Sequence, residues 1–258
     1  PATDTVMQSF SGLMSVNKGT SDGMPHRVGV IVADHTTGLY AFQSVAAALY
    51  ARQGSDEGRF IDVSLMSSMA GLLAPKLIEH TIEPGEQSIT NAPAGSYQTQ
   101  DGWIAITLIK EAHWANICRC LERNELATDP RFDSFAKRAE NLDALLALIR
   151  PVFAARTTAE WSGIFRENDV LSNPINDMGA WLEDPQVLAS DLAPMVSQPQ
   201  AGPMPIVHLP GTTPPRDGDP KFEAPLAGAH SREILTRLGY SDADIEALAS
   251  RGVTKLSD

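Results

Sequence analysis

The chain has 258 residues with a formal net charge of -12; 43% of its residues are hydrophobic and 20% are charged. These proportions are typical of a globular protein with one large domain or two smaller ones. The acidic balance argues against binding to nucleic acid or to an anionic membrane surface, since both attract basic proteins, and no apolar run is long enough to span a membrane. Two cysteines, Cys118 and Cys120, have neither a disulfide-forming nor a metal-binding spacing, which predicts a reducing, cytosolic location.

A strand that passes directly into a helix is the first strong pattern along the chain. Residues 28–33 are apolar and rich in β-branched side chains, which predicts a buried strand, and residues 39–51 predict a helix with a wide apolar face. Between them lie one carboxylate, Asp34, two hydroxyls, Thr36 and Thr37, and a glycine, Gly38. This order places Asp34 at the carboxyl end of a strand, where open α/β sheets bind their ligands.

Spacing alone leaves two interpretations of Asp34. Asp and Thr are common N-cap residues, so Asp34 or one of the threonines after it would simply cap the helix. Alternatively, the carboxylate carries chemistry beside the unpaired N–H groups and positive dipole end of the helix start. The neighbouring His35 suggests an acid–base pair, but adjacent residues on a turn usually point apart, which disfavours that arrangement.

A second helix–strand repeat follows in the next forty residues. Residues 53–59 have the composition of a turn, residues 60–65 predict a strand and residues 67–79 predict a helix, so this part of the chain forms a parallel crossover unit. Residues 83–102 have the composition of a linker. Tyr97, which lies within it, either contacts a substrate or packs against the protein.

The next hundred residues predict a smaller α+β unit. Strands are expected at 103–109 and 170–175, and Thr157 or Thr158 is expected to cap a helix, since Glu160 lies near the capping-box position. Helices are further predicted at residues 113–123, 141–155 and 177–190.

A proline-rich stretch and two helices complete the chain. Residues 191–225 hold half of the prolines and predict an extended, stiff arm. Residues 231–238 predict one helix, and Ser241 is expected to cap a second helix that ends near Gly252.

Several segments, collinear over nearly the whole chain, together carry a resemblance. They are SGLMS at 11–15, VGV at 28–30, ADHTTGLYA at 33–41, GRFIDVSL at 58–65, DPQVLA at 184–189 and APLAGAHS at 224–231. In this combination the chain resembles the family III CoA-transferases, enzymes similar to formyl-CoA:oxalate and carnitine CoA-transferases.

The resemblance implies an α/β fold of interlocked-dimer type. It implies a Rossmann-like CoA-binding large domain, whose N-terminal part is absent from this sequence, and a smaller α+β domain. The implied segments are 1–85 from the large domain, 86–102 as a linker or glycine loop, 103–195 as the small domain, 196–225 as a proline-rich linker and 226–258 as helices returning to the large domain.

The resemblance also implies the chemistry. Asp34 matches the family's catalytic aspartate, a nucleophile that forms an aspartyl-CoA thioester. Thr36, Thr37 and Gly38 would supply hydrogen bonds at the helix start, and Gly95 and Tyr97 would belong to the loop that shields the thioester. Coenzyme A enters as an acyl-CoA substrate with a small carboxylic acid, and neither a metal nor a permanently bound cofactor is implied.

Two alternatives stay open. An α-methylacyl-CoA racemase of the same superfamily would use the aspartate as a base at the α-carbon. The chain could also be a non-catalytic fragment or subunit, in a homodimer or in a complex with a chain that supplies the N-terminal part.

Overall fold

The computed structural model describes residues 2–17, 24–55, 57–85 and 91–257. The chain divides into two compact units, residues 1–90 and residues 91–258. The described part of the first unit is helical, and its helices are α1 (Asp4–Phe10), α2 (Leu13–Val16), α3 (Val32–Ala51), α4 (Leu65–Leu72) and α5 (Ala74–Ile82). Residues Arg52–Gly54 add a short 3₁₀ turn after α3.

The first unit is organised around the start of its longest helix. Helices α1 and α4 pack against α3. Within the described part of the unit, the buried apolar residues form one small cluster, Met7, Ala33, Met69 and Leu73. Helix α4 begins with a capping box between Ser64 and Ser67, and α5 begins beside Pro75, which lacks an N–H and therefore suits the first turn of a helix.

Both strand predictions for the first unit are wrong. Residues 28–31 precede α3 as irregular chain, and residues 57–64 belong to neither a helix nor a strand. Ile61 and Val63 do alternate with exposed neighbours, as a strand would. A strand also needs hydrogen bonds from a neighbouring strand, and none of the described residues of this unit provides one. The Rossmann-like sheet therefore stays a prediction.

The helix predicted at 39–51 is present as part of α3, but the apolar side chains of its predicted face are exposed. Phe42 is 74% exposed, Leu39 62% and Leu49 59%. Apolar surface of this extent on a globular protein is usually covered by a partner or another part of the chain. None of the described helices is long and apolar enough to cross a membrane.

The second unit contains a three-stranded antiparallel sheet. Strand β1 (Gly95–Gln98) pairs with β2 (Trp103–Thr107), which pairs with β3 (Leu171–Pro174). Its helices are α6 (Ala112–Cys120), α7 (Phe135–Glu140), α8 (Leu142–Phe153), α9 (Thr158–Glu167), α10 (Met178–Glu183), α11 (Pro185–Ala189), α12 (Ser231–Arg237) and α13 (Asp242–Ser250). Short 3₁₀ turns lie at Asn124–Ala127 and Pro220–Phe222. The predicted strands at 103–109 and 170–175 are confirmed.

An aromatic cluster holds this unit together. The rings of Tyr97 and Phe153 stack with their centroids 4.2 Å apart, and those of Trp161 and Phe165 stack at 5.2 Å. The indole N–H of Trp161 donates to the carbonyl of Phe153, so burial leaves that group satisfied. Of the two candidates Thr157 and Thr158, Thr157 is the cap, in a capping box with Glu160, and the cap predicted at Ser241 is also present.

The two predicted linkers are more structured than expected. The described part of segment 86–102 contains β1, whereas residues 86–90 lie outside the described residues. The proline-rich arm contains a hairpin of β4 (Met195–Gln198) and β5 (Gly202–Pro205). The N–H of Ser197 donates to Asp217, so the arm folds back on itself instead of extending. The predicted return of 226–258 to the large domain stays a prediction.

Arg138 is a cation buried completely in the second unit. Its guanidinium donates to the carbonyls of Ala92 and Phe132, both at 2.8 Å, and to the carboxylate of Glu111. Burial pushes the pKa of Glu111 upward, but hydrogen bonds from Arg138 and from the N–H of Phe135 outweigh it and leave the pKa lowered. The side chain therefore joins the segment before β1 to α7 and to the start of α6.

We expect Arg138→Met to lower the free energy of unfolding by about 2–4 kcal/mol, because two buried carbonyls lose their donor. Urea unfolding followed by tryptophan fluorescence measures this loss. Arg131→Met is the matched control: its ion pair with Asp129 is exposed, and its loss should cost less than about 1 kcal/mol. Equal losses in the two variants would contradict the structural role of Arg138.

Candidate active site

Asp34 is the third residue of α3, and its carboxylate faces solvent. It accepts no hydrogen bond from any residue that the structure describes. The N-cap residue of the helix is Ile31, whose side chain has no polar atom. The strand predicted before Asp34 is absent, so the residue stands in the first turn of a helix and not at the end of a strand.

The capping interaction comes from α1. Oδ1 of Asp4 accepts a hydrogen bond from the N–H of Ala33 at 2.8 Å, across 29 residues of sequence. Asp4 is only 5% exposed. The contacts of Asp34 therefore do not support the capping interpretation, because Asp4 is the cap.

Gln8 extends this contact to the segment that leads into α3. Its side-chain N–H donates to the other carboxylate oxygen of Asp4 at 2.7 Å and to the carbonyl of Val30 at 3.2 Å. Its oxygen accepts the N–H of Val28 at 2.8 Å. Sequence reasoning assigned no role to either residue. The available signal was their spacing of four, which places two polar side chains on one face of a helix.

Not every N–H group in the first turn of α3 has an acceptor among the described residues. The N–H of Val32 donates to Val30, that of Ala33 donates to Asp4, and that of His35 donates to Ile31. Among the described residues, the N–H of Asp34 has no acceptor. The start of α3 thus offers a free carboxylate and a free N–H from the same residue, at the positive end of a 20-residue helix.

Thr36, Thr37 and Gly38 lie in the second turn of α3, one turn later than the sequence predicts. The hydroxyl of Thr37 donates to the carbonyl of Ala33 at 2.7 Å and is used within the helix. Gly38 lies one turn after Asp34 on the same face of the helix. A Cβ atom at Gly38 would meet nothing within 4 Å, so the surface beside Asp34 is open there. No hydrogen bond joins the exposed His35 to Asp34.

Gly95 and Tyr97 belong to the second unit. Gly95 is the first residue of β1. Tyr97 is 2% exposed, and its hydroxyl donates to the carbonyl of Pro93 at 2.5 Å. Burial raises the pKa of Tyr97, so the hydroxyl stays a donor. Of the two roles predicted for Tyr97, these contacts support packing against the protein. Within the described ranges, no three His, Cys, Asp or Glu side chains cluster as metal ligands would.

The family model described as CoA-transferase family III matches residues 1–231. The succinyl-CoA:glutarate CoA-transferases of Mus musculus and Homo sapiens are each 30% identical over an alignment of 260 positions that covers 97% of this chain. An acetyl-CoA:oxalate CoA-transferase of Acetobacter aceti is 31% identical over 74% of the chain. The chain spans 59% of the mouse protein, 58% of the human protein and 51% of the Acetobacter protein.

Solved structures show the same fold. A CaiB/BaiF family protein from Brucella suis is 24% identical with a TM-score of 0.75, over 92% of this chain and 63% of that one. Rv3272 from Mycobacterium tuberculosis is 23% identical with a TM-score of 0.71, over 83% of this chain and 57% of that one.

We expect Gly38→Ala to raise the free energy of unfolding by roughly 0.5–1 kcal/mol, because glycine inside a helix costs backbone entropy and the new methyl group has open space. Chemical unfolding followed by circular dichroism measures the change. Ala46→Gly, at an exposed position of the same helix, should lower it by a similar amount. A lower stability of Gly38→Ala would mean that this surface is packed against another part of the protein.

Proposed function

Because this chain belongs to the family III CoA-transferases, we propose that it moves CoA between an acyl-CoA and a carboxylic acid through a covalent adduct on Asp34. The Asp34 carboxylate attacks the thioester carbonyl, the C–S bond breaks, and a mixed anhydride forms with release of the CoA thiolate. The thiolate then attacks the aspartyl carbon of the anhydride. This step releases the first acid and leaves an aspartyl-CoA thioester.

The acceptor acid regenerates the enzyme by the reverse sequence. Its carboxylate attacks the aspartyl-CoA thioester, CoA thiolate leaves, and a second mixed anhydride forms. The thiolate attacks the acceptor's carbonyl carbon in this anhydride, which yields the new acyl-CoA and free Asp34. No redox change and no net proton transfer are needed, so coenzyme A serves as a substrate and no resident cofactor is required.

The observation that carries this proposal is that Asp34 is free. A carboxylate that the fold used as a cap would be a poor nucleophile, since its oxygens would already accept hydrogen bonds. Here the cap is Asp4, and Asp34 is exposed and accepts no hydrogen bond from the residues that the structure describes. The unpaired N–H of Asp34 and the helix dipole favour negative charge where each oxyanion develops.

The relatives suggest the substrate class. Those of mouse and human are named for succinyl-CoA and glutarate, and others for succinyl-CoA and mesaconate. We therefore propose succinyl-CoA as donor and a small dicarboxylic acid as acceptor. The names of these relatives favour transfer over the racemase alternative, in which the aspartate would move a proton at the α-carbon.

We expect Asp34→Asn to abolish CoA transfer, with a loss of at least about 10³-fold, because the amide is isosteric but not nucleophilic. Wild-type protein incubated with succinyl-CoA should gain the mass of CoA on the peptide that carries Asp34, in a form that hydroxylamine removes. Glu79→Gln makes the same change of carboxylate to amide on α5 and should keep both CoA transfer and formation of the CoA adduct.

Two results would contradict this proposal. One is exchange that survives in Asp34→Asn. The other is solvent deuterium entering the α-carbon of a 2-methylacyl-CoA without any CoA adduct, which would favour the racemase.

We further propose that two copies of the chain form an interlocked homodimer that covers the apolar face of α3. The exposure of Leu39, Phe42 and Leu49 supports this arrangement, since such surface is unfavourable in water.

Phe42→Asp should convert the dimer to monomer, because it places a charge in the proposed interface. Light scattering coupled to size exclusion measures the mass. Met178→Asp changes a residue of the second unit that is 78% exposed and should leave the dimer intact. A monomeric wild-type protein would contradict the dimer.

A further inference from the structure

The cap of α3 comes from outside the helix. An ordinary N-cap residue offers a side-chain oxygen to the N–H two or three positions later. Ile31 occupies that position in α3 and has no such oxygen. Asp4 supplies it from the start of α1 by accepting the N–H of Ala33 at 2.8 Å. Its carboxylate therefore stands at the positive ends of two helices, α1 and α3.

Gln8 completes a buried network around this carboxylate. Asp4 is 5% exposed and Gln8 is fully buried. Gln8 donates to Asp4 at 2.7 Å and accepts the N–H of Val28 at 2.8 Å. The side chain of Gln8 thereby gives the segment before α3 the backbone partners that a neighbouring strand would otherwise supply.

An apolar contact fixes the same point. Ala33 is completely buried in a cluster with Met7 and Met69. Met7 lies between Asp4 and Gln8 on α1, so one short helix holds the second residue of α3 by its N–H and by its methyl group. Asp34 is the next residue along the chain, and its backbone position follows from these contacts.

We propose that Asp4 and Gln8 are positioning residues for Asp34. They cap α3 from α1, so the carboxylate and the N–H of Asp34 remain available for the substrate, and they fix the place where the helix begins. This inference rests on the nucleophilic role proposed above for Asp34. Neither residue touches the substrate; they act through the backbone of Ala33 and of the segment that precedes it.

The physical consequence is a rate effect. Without Asp4, the N–H of Ala33 is buried without an acceptor, and the first turn of α3 relieves this by fraying. Asp34 then moves relative to the substrate, and displacements of about 1 Å in a reacting group can cost on the order of 100-fold in rate. Because Asp4 and Gln8 are buried, we expect the loss to fall on the chemical step and not on binding of the acyl-CoA.

The experiment compares Asp4→Ala and Asp4→Asn with a matched cap deletion in the same unit. Ser64→Ala removes the cap of α4 and provides the control for lost stability. Two quantities are measured well below the melting temperature of every variant. One is the single-turnover rate of CoA adduct formation on the Asp34 peptide at saturating succinyl-CoA. The other is hydrogen exchange at the amide of Ala33.

We expect Asp4→Ala to lose protection at Ala33 and to form the adduct about 10- to 100-fold more slowly, with an unchanged half-saturating concentration. Asp4→Asn keeps one oxygen for Ala33 but not the contact with Gln8, so it should lie between wild type and Asp4→Ala. It also replaces Asp4→Ala if that variant does not fold. Ser64→Ala should form the adduct at the wild-type rate.

Three outcomes would overturn the inference: retained protection at Ala33 in Asp4→Ala, an unchanged rate in that variant, or an equal loss of rate in Ser64→Ala. Absence of the adduct in wild-type protein would overturn the proposed function instead. Exchange at the amide of Ala33 would then still decide whether Asp4 holds the start of α3, so the two failures are distinguishable.

Discussion

The arrangement of the first unit depends on one buried hydrogen bond, which the N–H of Ala33 donates to the carboxylate of Asp4. It joins α1 to the beginning of α3 and lets that helix start without a cap of its own. A helix start leaves several N–H groups unpaired, and burying one without an acceptor is unfavourable. Because Asp4 accepts the hydrogen bond from the N–H of Ala33, the next residue, Asp34, is not needed as a cap and faces solvent.

The two units depend on different kinds of stabilisation. Among the residues that the structure describes, the buried cluster of the second unit contains 17 residues and includes stacked aromatic rings, whereas that of the first unit contains four. The first unit therefore relies more on polar contacts such as those of Asp4 and Gln8, and it exposes a broad apolar face on α3. The candidate nucleophile lies in this less densely packed unit, next to one of its few fully buried residues, Ala33.

Family membership and local geometry answer different questions about Asp34. The match to the family III CoA-transferases supports the class of reaction proposed above. The contacts of α3 indicate why this carboxylate is available for it, since a residue at a helix start would otherwise be expected to cap. The resemblance points to Asp34 as the candidate residue, and the capping contact from α1 leaves its carboxylate free for the role proposed above.

The sequence by itself determined the features that depend on near neighbours in the chain. Local spacing predicts the helix caps near residues 157 and 241, most helices of the second unit and its strands at 103–109 and 170–175. The structure has all of these. The tertiary structure decided the rest. Whether 28–33 and 60–65 become strands depends on a hydrogen-bonding neighbour, which no local pattern contains. Likewise, the cap of α3 lies 29 residues away in sequence, so only the packing of α1 against α3 could show that Asp34 is free.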